Sequence, residues 1–578
     1  MRHNRSLVKL LAPVALGIAF CGLPAQALAG EAKEKSPMAA EALAFLRQYQ
    51  KDLAALELEA NLAEWKAANT GEKADFDAAA AASLALNQYH SDAQRYGRLV
   101  ELEAVKDELP PVKARAMELA LLSYRRNQLP PELLKKMVEL STEIKRLLNT
   151  YRAELDGKKL SNNDLLEMLS DETDSQRRQA IWEALKQVGG VVNAKLIELA
   201  ETRNEAAATL GFDNYWEMAI RLQEHDPEEL LAIFDELEKL TREPFAKMKA
   251  GMDAELAARF GVAPGAMMPW HYDNPFFQAA PPSDKVDLDE FYEKKTKEDI
   301  VEIARVFYAD IGLPIDEVLR RSDLYEREGK DQHAFCISID RAGDVRTLCN
   351  VKPTAEWMDT VLHEAGHAVY DLGINRDLPY NVREPAHAFT TEGVAMLFGA
   401  LGKKPSWMIA CAGADERRVK EVSDAILEQR RREQLIFARW TLVMLHAEKS
   451  LYENPRQDVN TLWWDYKERF QMLRRPPGRN QPDWAAKPHF TIAPVYYHSY
   501  MLGELFASQL RATLAKLPVP DSVASGATGE LSFVGRKDIG RYLEEKVFAP
   551  GSRRPWPEFV RRATGEPLSP SYFAAEVQ

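Results

Sequence analysis

Residues 41–65 read EALAFLRQYQKDLAALELEANLAEW, and residues 129–155 read LPPELLKKMVELSTEIKRLLNTYRAEL. In both, apolar residues recur every three or four positions among Ala, Leu, Glu, Lys and Arg. That spacing lays one apolar stripe along a helix. The same texture runs from residue 38 to 255, punctuated by Pro110, Pro111, Pro130 and Pro131 at helix boundaries. The alanine run at 78–82 continues a helix. Residues 261–290 are loop-rich and aromatic. Strand-like alternation is confined to HAFCISIDRAGDVRTLCNVK, residues 333–352, around Ala342-Gly343-Asp344. Helices return from Ala355 to about Arg511, and the last 70 residues mix short helices with Gly/Pro/Ser turns. The reading predicts an all-α protein with a very small β-sheet.

One helical stretch carries chemistry. Residues 361–371 are VLHEAGHAVYD, with His363 and His367 four apart and Glu364 between them. Positions i and i+4 share a helix face one turn apart, so two neutral imidazoles there can hold one zinc ion. Glu364 is placed to polarise a zinc-bound water rather than to bind the metal. The longer H-E-x-x-H-x-x-G-x-x-H pattern fails, because Tyr370 and Gly373 occupy its glycine and histidine positions. Candidates for a third ligand are Glu384, His387 and Glu392. Glu392 is favoured, because it opens TEGVAMLFGAL, a helix with Thr390 and Thr391 as caps. His387 reads as a loop histidine bonding the backbone. Two histidines, one carboxylate and an open position make a catalytic arrangement. In it, Glu364 would take a proton as water attacks a carbonyl, and the oxyanion would need a second stabiliser. Ligand type favours zinc, one per chain, with cobalt and manganese as substitutes.

The chain has 578 residues and a formal net charge of −13, with 46 % hydrophobic and 28 % charged residues. The acidic balance argues against nucleic-acid binding. The first 29 residues form a distinct segment: basic MRHNRSLVK, apolar LLAPVALGIAF, then Ala27-Leu28-Ala29 before Gly30. That is the pattern of a cleaved signal peptide. It predicts residues 30–578 as a single exported, soluble catalytic domain, periplasmic or secreted, with a monomer expected. Phe20 before Cys21 argues against a lipoprotein, since a small residue is expected there. No later stretch reaches the roughly 18 apolar residues of a membrane span. Cys336, Cys349 and Cys411 follow the cleavage point. A hairpin at 333–350 can bring Cys336 and Cys349 within bridging distance; the other reading is three free thiols, with Cys411 buried in a helix.

A further segment, PDWAAKPHFTIAPVYYHSYMLGELFASQL, carries Lys487, His489, Tyr497 and Tyr500. With it the sequence resembles the angiotensin-converting-enzyme family, the zinc peptidyl-dipeptidases A. That family has H-E-x-G-H, then L-P-x-x-x-R-E, then a ligand glutamate eight residues on. Here HEAGH is followed by LPYNVRE, ending at Glu384, and then by Glu392. The family also has a cysteine pair upstream; here Cys349 stands 14 residues before His363. Its A-K-F-H segment is similar to AAKPH. The resemblance implies that Lys487 binds the substrate's C-terminal carboxylate, with Tyr497 helping. It implies that His489 bonds the peptide backbone or the oxyanion, and that Tyr500 stabilises the tetrahedral intermediate. It also implies two helical halves around a deep channel, the zinc at its floor. Residues 38–150 would form the lid and 336–505 the zinc-binding core.

There are departures. Ser499 stands where the family's chloride-binding arginine would be, which argues against chloride activation. Ile337 replaces a substrate-contacting histidine, and Tyr272 replaces a glutamine at the terminal carboxylate. The expected activity is release of C-terminal dipeptides from short peptides. The rivals are an oligoendopeptidase like the thimet-oligopeptidase relatives and a peptide-binding protein without turnover.

Overall fold

The computed structural model describes residues 36–282, 285–519 and 532–578. The expected signal peptide, with Cys21, lies outside these described residues. The chain is almost entirely helical. Its first part holds α1 (Pro37–Thr70), α2 (Lys73–His90), α3 (Ala93–Glu103), α4 (Pro111–Arg126), α5 (Pro131–Thr150), α6 (Asn162–Asp171), α7 (Ser175–Thr209), α8 (Tyr215–Leu222) and α9 (Pro227–Phe260). A hairpin of β1 (Ala153–Leu155) and β2 (Lys158–Leu160) interrupts them. The middle holds α10 (Lys297–Asp310), α11 (Asp316–Arg321), the hairpin β3 (Phe335–Ser338) and β4 (Val345–Leu348), α12 (Ala355–Gly373) and α13 (Ala388–Gly399). Then come α14 (Pro405–Ala410), α15 (Glu416–Glu453), α16 (Val459–Gln471), α17 (His489–Ile492), α18 (Tyr497–Ala515), α19 (Lys537–Leu543), α20 (Trp556–Thr564) and α21 (Ser571–Glu576).

Local rules explain many of the boundaries. The Ser36 hydroxyl accepts from the Ala39 N–H at 3.1 Å, with Pro37 in the first turn. Pro111 and Pro131 open α4 and α5, where their missing N–H costs nothing. Gly261 closes α9 at φ 64°. The first hairpin falls where the periodicity predicted helix through residue 155. Its turn is Asp156-Gly157, with φ of 54° and 72°. Two successive positive φ values match a two-residue hairpin turn, for which Asp-Gly is a strong signal.

The second hairpin lies where alternation placed it, but its cysteines are not bridged. Cys336 and Cys349 are both free thiols. The register pairs Cys336 with Thr347, so Cys349 is a diagonal neighbour two positions along. Diagonal positions stand about 7–8 Å apart, beyond the usual Cα span of a disulfide. Cys411 is also free, at the C-terminal cap of α14 and only partly buried.

A contiguous apolar core runs from Ala39 to Val577 and includes Met358, Leu362, Leu435, Trp440, Leu502 and Phe506 at full burial. Helix α12 lies within it, packed by α13, which α18 packs in turn. The Tyr308 hydroxyl of α10 donates to the Leu362 carbonyl of α12 at 2.6 Å. Glycines set how closely these helices cross. A Cβ on Gly366 of α12 would lie 2.9 Å from the Ala395 Cα of α13. One on Gly393 of α13 would lie 2.8 Å from the Gly503 carbonyl of α18. Helix α1 is fastened to the second hairpin and the loop before α13. Asn61 donates to the Ser338 and Ile339 carbonyls at 3.2 Å, and Glu57 accepts from Arg341 at 2.7 Å and from Tyr380 at 2.9 Å. Among the described residues no helix is long and apolar enough to cross a membrane.

Candidate metal centre and peptide site

Helix α12 starts at the Thr354 cap, whose side chain accepts from Trp357 N–H at 3.2 Å. Two turns later it presents His363 and His367 on one face, with ring centroids 4.9 Å apart. Helix α13 brings Glu392 onto that face. Its Oε1 lies 3.6 Å from His363 Nε2, and its Oε2 lies 3.5 Å from His367 Nε2. One ligand atom from each of the three residues lies within 4.8 Å of the others. The His367 Nδ1 is 2.8 Å from the Thr391 hydroxyl. A proton on Nδ1, donated there, leaves Nε2 free as a ligand. The donor set, two imidazoles and a carboxylate converging on one point, fits a zinc ion.

The charges suit that role. Burial pulls the His363 imidazole below its ordinary pKa, with Glu392 opposing. Burial acts the same way on His367, but the Glu392 hydrogen bond and nearby carboxylates outweigh it and raise that group. Burial would raise Glu392, yet the two imidazoles hold it below the carboxylate range. Glu364 is 8 % exposed, and burial pushes its carboxyl up to about 7.

The other third-ligand candidates are occupied elsewhere. Glu384 pairs with Arg341, not with Arg383, whose Nε donates to the Leu378 carbonyl at 2.8 Å. His387 caps α13, its Nδ1 accepting from Phe389 N–H at 3.2 Å and its Nε2 lying 2.9 Å from the Gln223 carbonyl. The helix therefore starts before Thr390, and the expected threonine caps are displaced. Thr390 instead bonds back to the His387 backbone, and Thr391 faces His367.

The second cluster comes from the segment 483–500. Lys487 is 5 % exposed, and its Nζ donates to Gln278 Oε1 at 2.5 Å. The rings of Trp440, Phe276 and Tyr497 surround it, with centroids 5.3, 5.4 and 5.5 Å away. Burial alone draws its ammonium down to about 8. The His489 ring packs tilted against Tyr497, centroids 4.7 Å apart, and Tyr497 lies 5.5 Å from Tyr500. Burial and Lys487 draw His489 down to about 4, and its Nδ1 is buried without a partner. Burial raises Tyr497 to about 12; burial and then Glu392 raise Tyr500. Electrostatics therefore couples Tyr500 to the metal triad.

Tyr272 does not fill the glutamine's place. It is buried, accepts from Lys249 at 2.7 Å and donates to Asp253 at 2.8 Å. Gln278, six residues on, is the amide at Lys487. Trp463 and Trp464 are core residues, and His498 is buried beside His225. Two cavities adjoin the assembly. One of ≈540 Å³ is walled by Tyr496, Arg126 and Arg341. The other, ≈410 Å³, lies against His363 and Gln278.

The sequence profile of peptidase family M2, described as angiotensin-converting enzyme, matches residues 36–569. Angiotensin-converting enzyme of Mesocricetus auratus is 22 % identical over 278 residues, covering 45 % of this chain and 20 % of that protein. Angiotensin-converting enzyme-like protein Ace3 of Mus musculus is 23 % identical over 290 residues, 46 % of this chain and 37 % of that one. Carboxypeptidase 1 of Bacillus subtilis (strain 168) is 23 % identical over 299 residues, 48 % of this chain and 56 % of that one. The chain thus spans a fifth to about half of these relatives.

Proposed function

This chain belongs to the angiotensin-converting enzyme family, and on that premise we propose that it is a zinc-dependent peptidase releasing dipeptides from the C-termini of short peptides. The observation that carries the reading is Lys487. A buried ammonium with no carboxylate beside it among the described residues, held by a neutral amide and three aromatic rings, is poised for an anionic guest. A peptide's terminal carboxylate is that guest, with Gln278 and Tyr497 fixing its orientation.

His363, His367 and Glu392 would hold the zinc ion, which would supply Lewis-acid polarisation for the hydrolysis. Thr391 keeps His367 in the tautomer that exposes Nε2. Glu364, with a carboxyl near 7, takes the proton of the attacking water and delivers it to the leaving amine. The Tyr500 hydroxyl and His489 donate to the developing oxyanion, which distributes charge the ligands do not neutralise. The C-terminal part of the substrate leaves as a free peptide. We expect no activation by chloride, since Ser499 is a buried neutral residue. Residues 30–578 act as one catalytic domain, exported after cleavage before Gly30, with the helices of 38–150 as its lid. The similarity to a protein named carboxypeptidase supports attack at a free C-terminus, and release of one residue is the nearest alternative.

Mass spectrometry of a nine-residue peptide incubated with wild type and Glu364→Gln tests the reading. Stepwise loss of two C-terminal residues, absent in a Glu364→Gln protein that retains zinc, supports it. Loss of one residue would make the chain a carboxypeptidase. Internal cuts would move it to an oligoendopeptidase, and intact peptide with both proteins would leave a binding protein.

A further inference from the structure

The segment that joins His489 to Tyr500 is held by buried polar side chains from outside the site. Arg203 of α7 donates to the Phe490 and Thr491 carbonyls at 2.7 and 3.0 Å, and to the Tyr452 hydroxyl at 2.8 Å. Glu448 of α15 accepts the Val495 N–H at 2.8 Å. The Gln223 amide donates to the Val495 carbonyl at 3.1 Å. Arg203 and Glu448 are both buried, and among the described residues neither forms an ion pair. Their hydrogen bonds go mainly to the backbone of this segment.

Val495 is its point of strain. The φ of 52° lies in a region that a β-branched residue rarely enters, and such a backbone persists only where its surroundings hold it. Here both sides of the residue are tied, the N–H by Glu448 and the carbonyl by Gln223. Helix α18 begins two residues later, and its first turn carries Tyr497 and Tyr500. Tyr496, at the cap position, gives that turn no side-chain hydrogen bond. The entry angle of the helix is therefore set at Val495. Burial raises the Glu448 carboxyl to about 8, against the pull of the Val495 N–H and Arg203. The acid form keeps a carbonyl oxygen that accepts the same hydrogen bond.

We propose that Glu448 is a positioning residue for the hydrolysis: by fixing Val495 in its strained conformation, it aims Tyr500 at the metal centre. The proposal rests on the peptidase reading and adds to it a residue that lines neither cavity of the site.

The test measures kcat and KM on one peptide for Glu448→Leu and Glu448→Gln, each with and without Tyr500→Phe. Glu448→Leu should lower kcat about tenfold and leave KM within about threefold, because Tyr500 acts on the transition state. Glu448→Gln, whose amide oxygen still accepts from the Val495 N–H, should stay within about twofold of wild type. With Tyr500→Phe present, Glu448→Leu should cost less than about twofold more. An unchanged kcat in Glu448→Leu, a Glu448→Gln as slow as Glu448→Leu, or a full tenfold loss on top of Tyr500→Phe overturns the proposal. If Glu448→Leu does not fold, Gln223→Met, which frees the other side of Val495, takes its place with the same kcat and KM outcomes. If the wild type cleaves no peptide, the peptidase reading fails on its own, and crystal structures of wild type and Glu448→Leu decide. A residue 495 relaxed from positive φ with the Tyr500 ring displaced supports the proposal; an unmoved ring overturns it.

Discussion

Glu392 sits between two imidazoles at 3.5 and 3.6 Å, while Lys487 meets no carboxylate among the described residues. Both are buried charges, and they are handled in opposite ways. The carboxylate is neutralised by partners that the same two helices supply, so the triad is complete as soon as α12 and α13 cross. The ammonium is left in an aromatic cage with one amide, so its site is complete only when a ligand arrives. The difference separates the chemistry from the choice of substrate. Damage to the triad should abolish reaction on every peptide, whereas damage to the cage should matter only for peptides with a free C-terminus.

The largest expected effect follows from that contrast. Glu364→Gln should lower kcat by about 10³-fold on free and amidated peptides alike, with zinc content by atomic emission unchanged. Chelation should do the same reversibly. Next, Lys487→Met should lower kcat/KM about 100-fold for free C-termini, measured with matched substrates. In wild type the same kcat/KM should fall as pH rises through about 8, because the protonated ammonium is the binding form. A profile flat to pH 10 would contradict the cage as the anchor.

Smaller effects probe the scaffold. Gly366→Ala forces α13 away from α12 and should weaken zinc about tenfold in competition with a chelator. Thr391→Val frees the His367 ring and should cost a similar factor. Acid stability sets a third scale. Burial depresses His90 and His271 to about 4 and His498 to about 3. The unfolded chain therefore binds more protons below about 6.5, so stability is full above that pH and falls as pH drops toward 3. Each group contributes roughly 1 kcal/mol per pH unit in that window. Urea midpoints at pH 7.5 and 5 measure it, and equal midpoints would contradict the burial.

The contrast also explains what could be read from the sequence. The triad was legible because helical spacing encodes it: positions i and i+4 dictate a shared face, and a helix follows with a carboxylate to offer. The N-terminal helices were legible from apolar periodicity and prolines at their starts. The partner of Lys487 was not, because Gln278 lies more than 200 residues earlier in a loop with no period, and Tyr272 resembled a candidate by position alone. The cap of α13 was misplaced because histidine is a rare capping residue and threonine a common one. Asp156-Gly157 announces the first hairpin, but the helical periodicity before it runs on to residue 155 and masks that signal. The disulfide failed on register: sequence brings two strands together but does not say which residues stand opposite.

The most direct test of the central claim is a cycle of two changes, Lys487→Met in the protein and amidation of the peptide, with kcat/KM measured at all four corners. The account predicts that each change alone costs about 100-fold and that both together cost no more than either one. Losses that multiply, or a Lys487→Met protein still sensitive to amidation, would contradict Lys487 as the anchor of the free C-terminus.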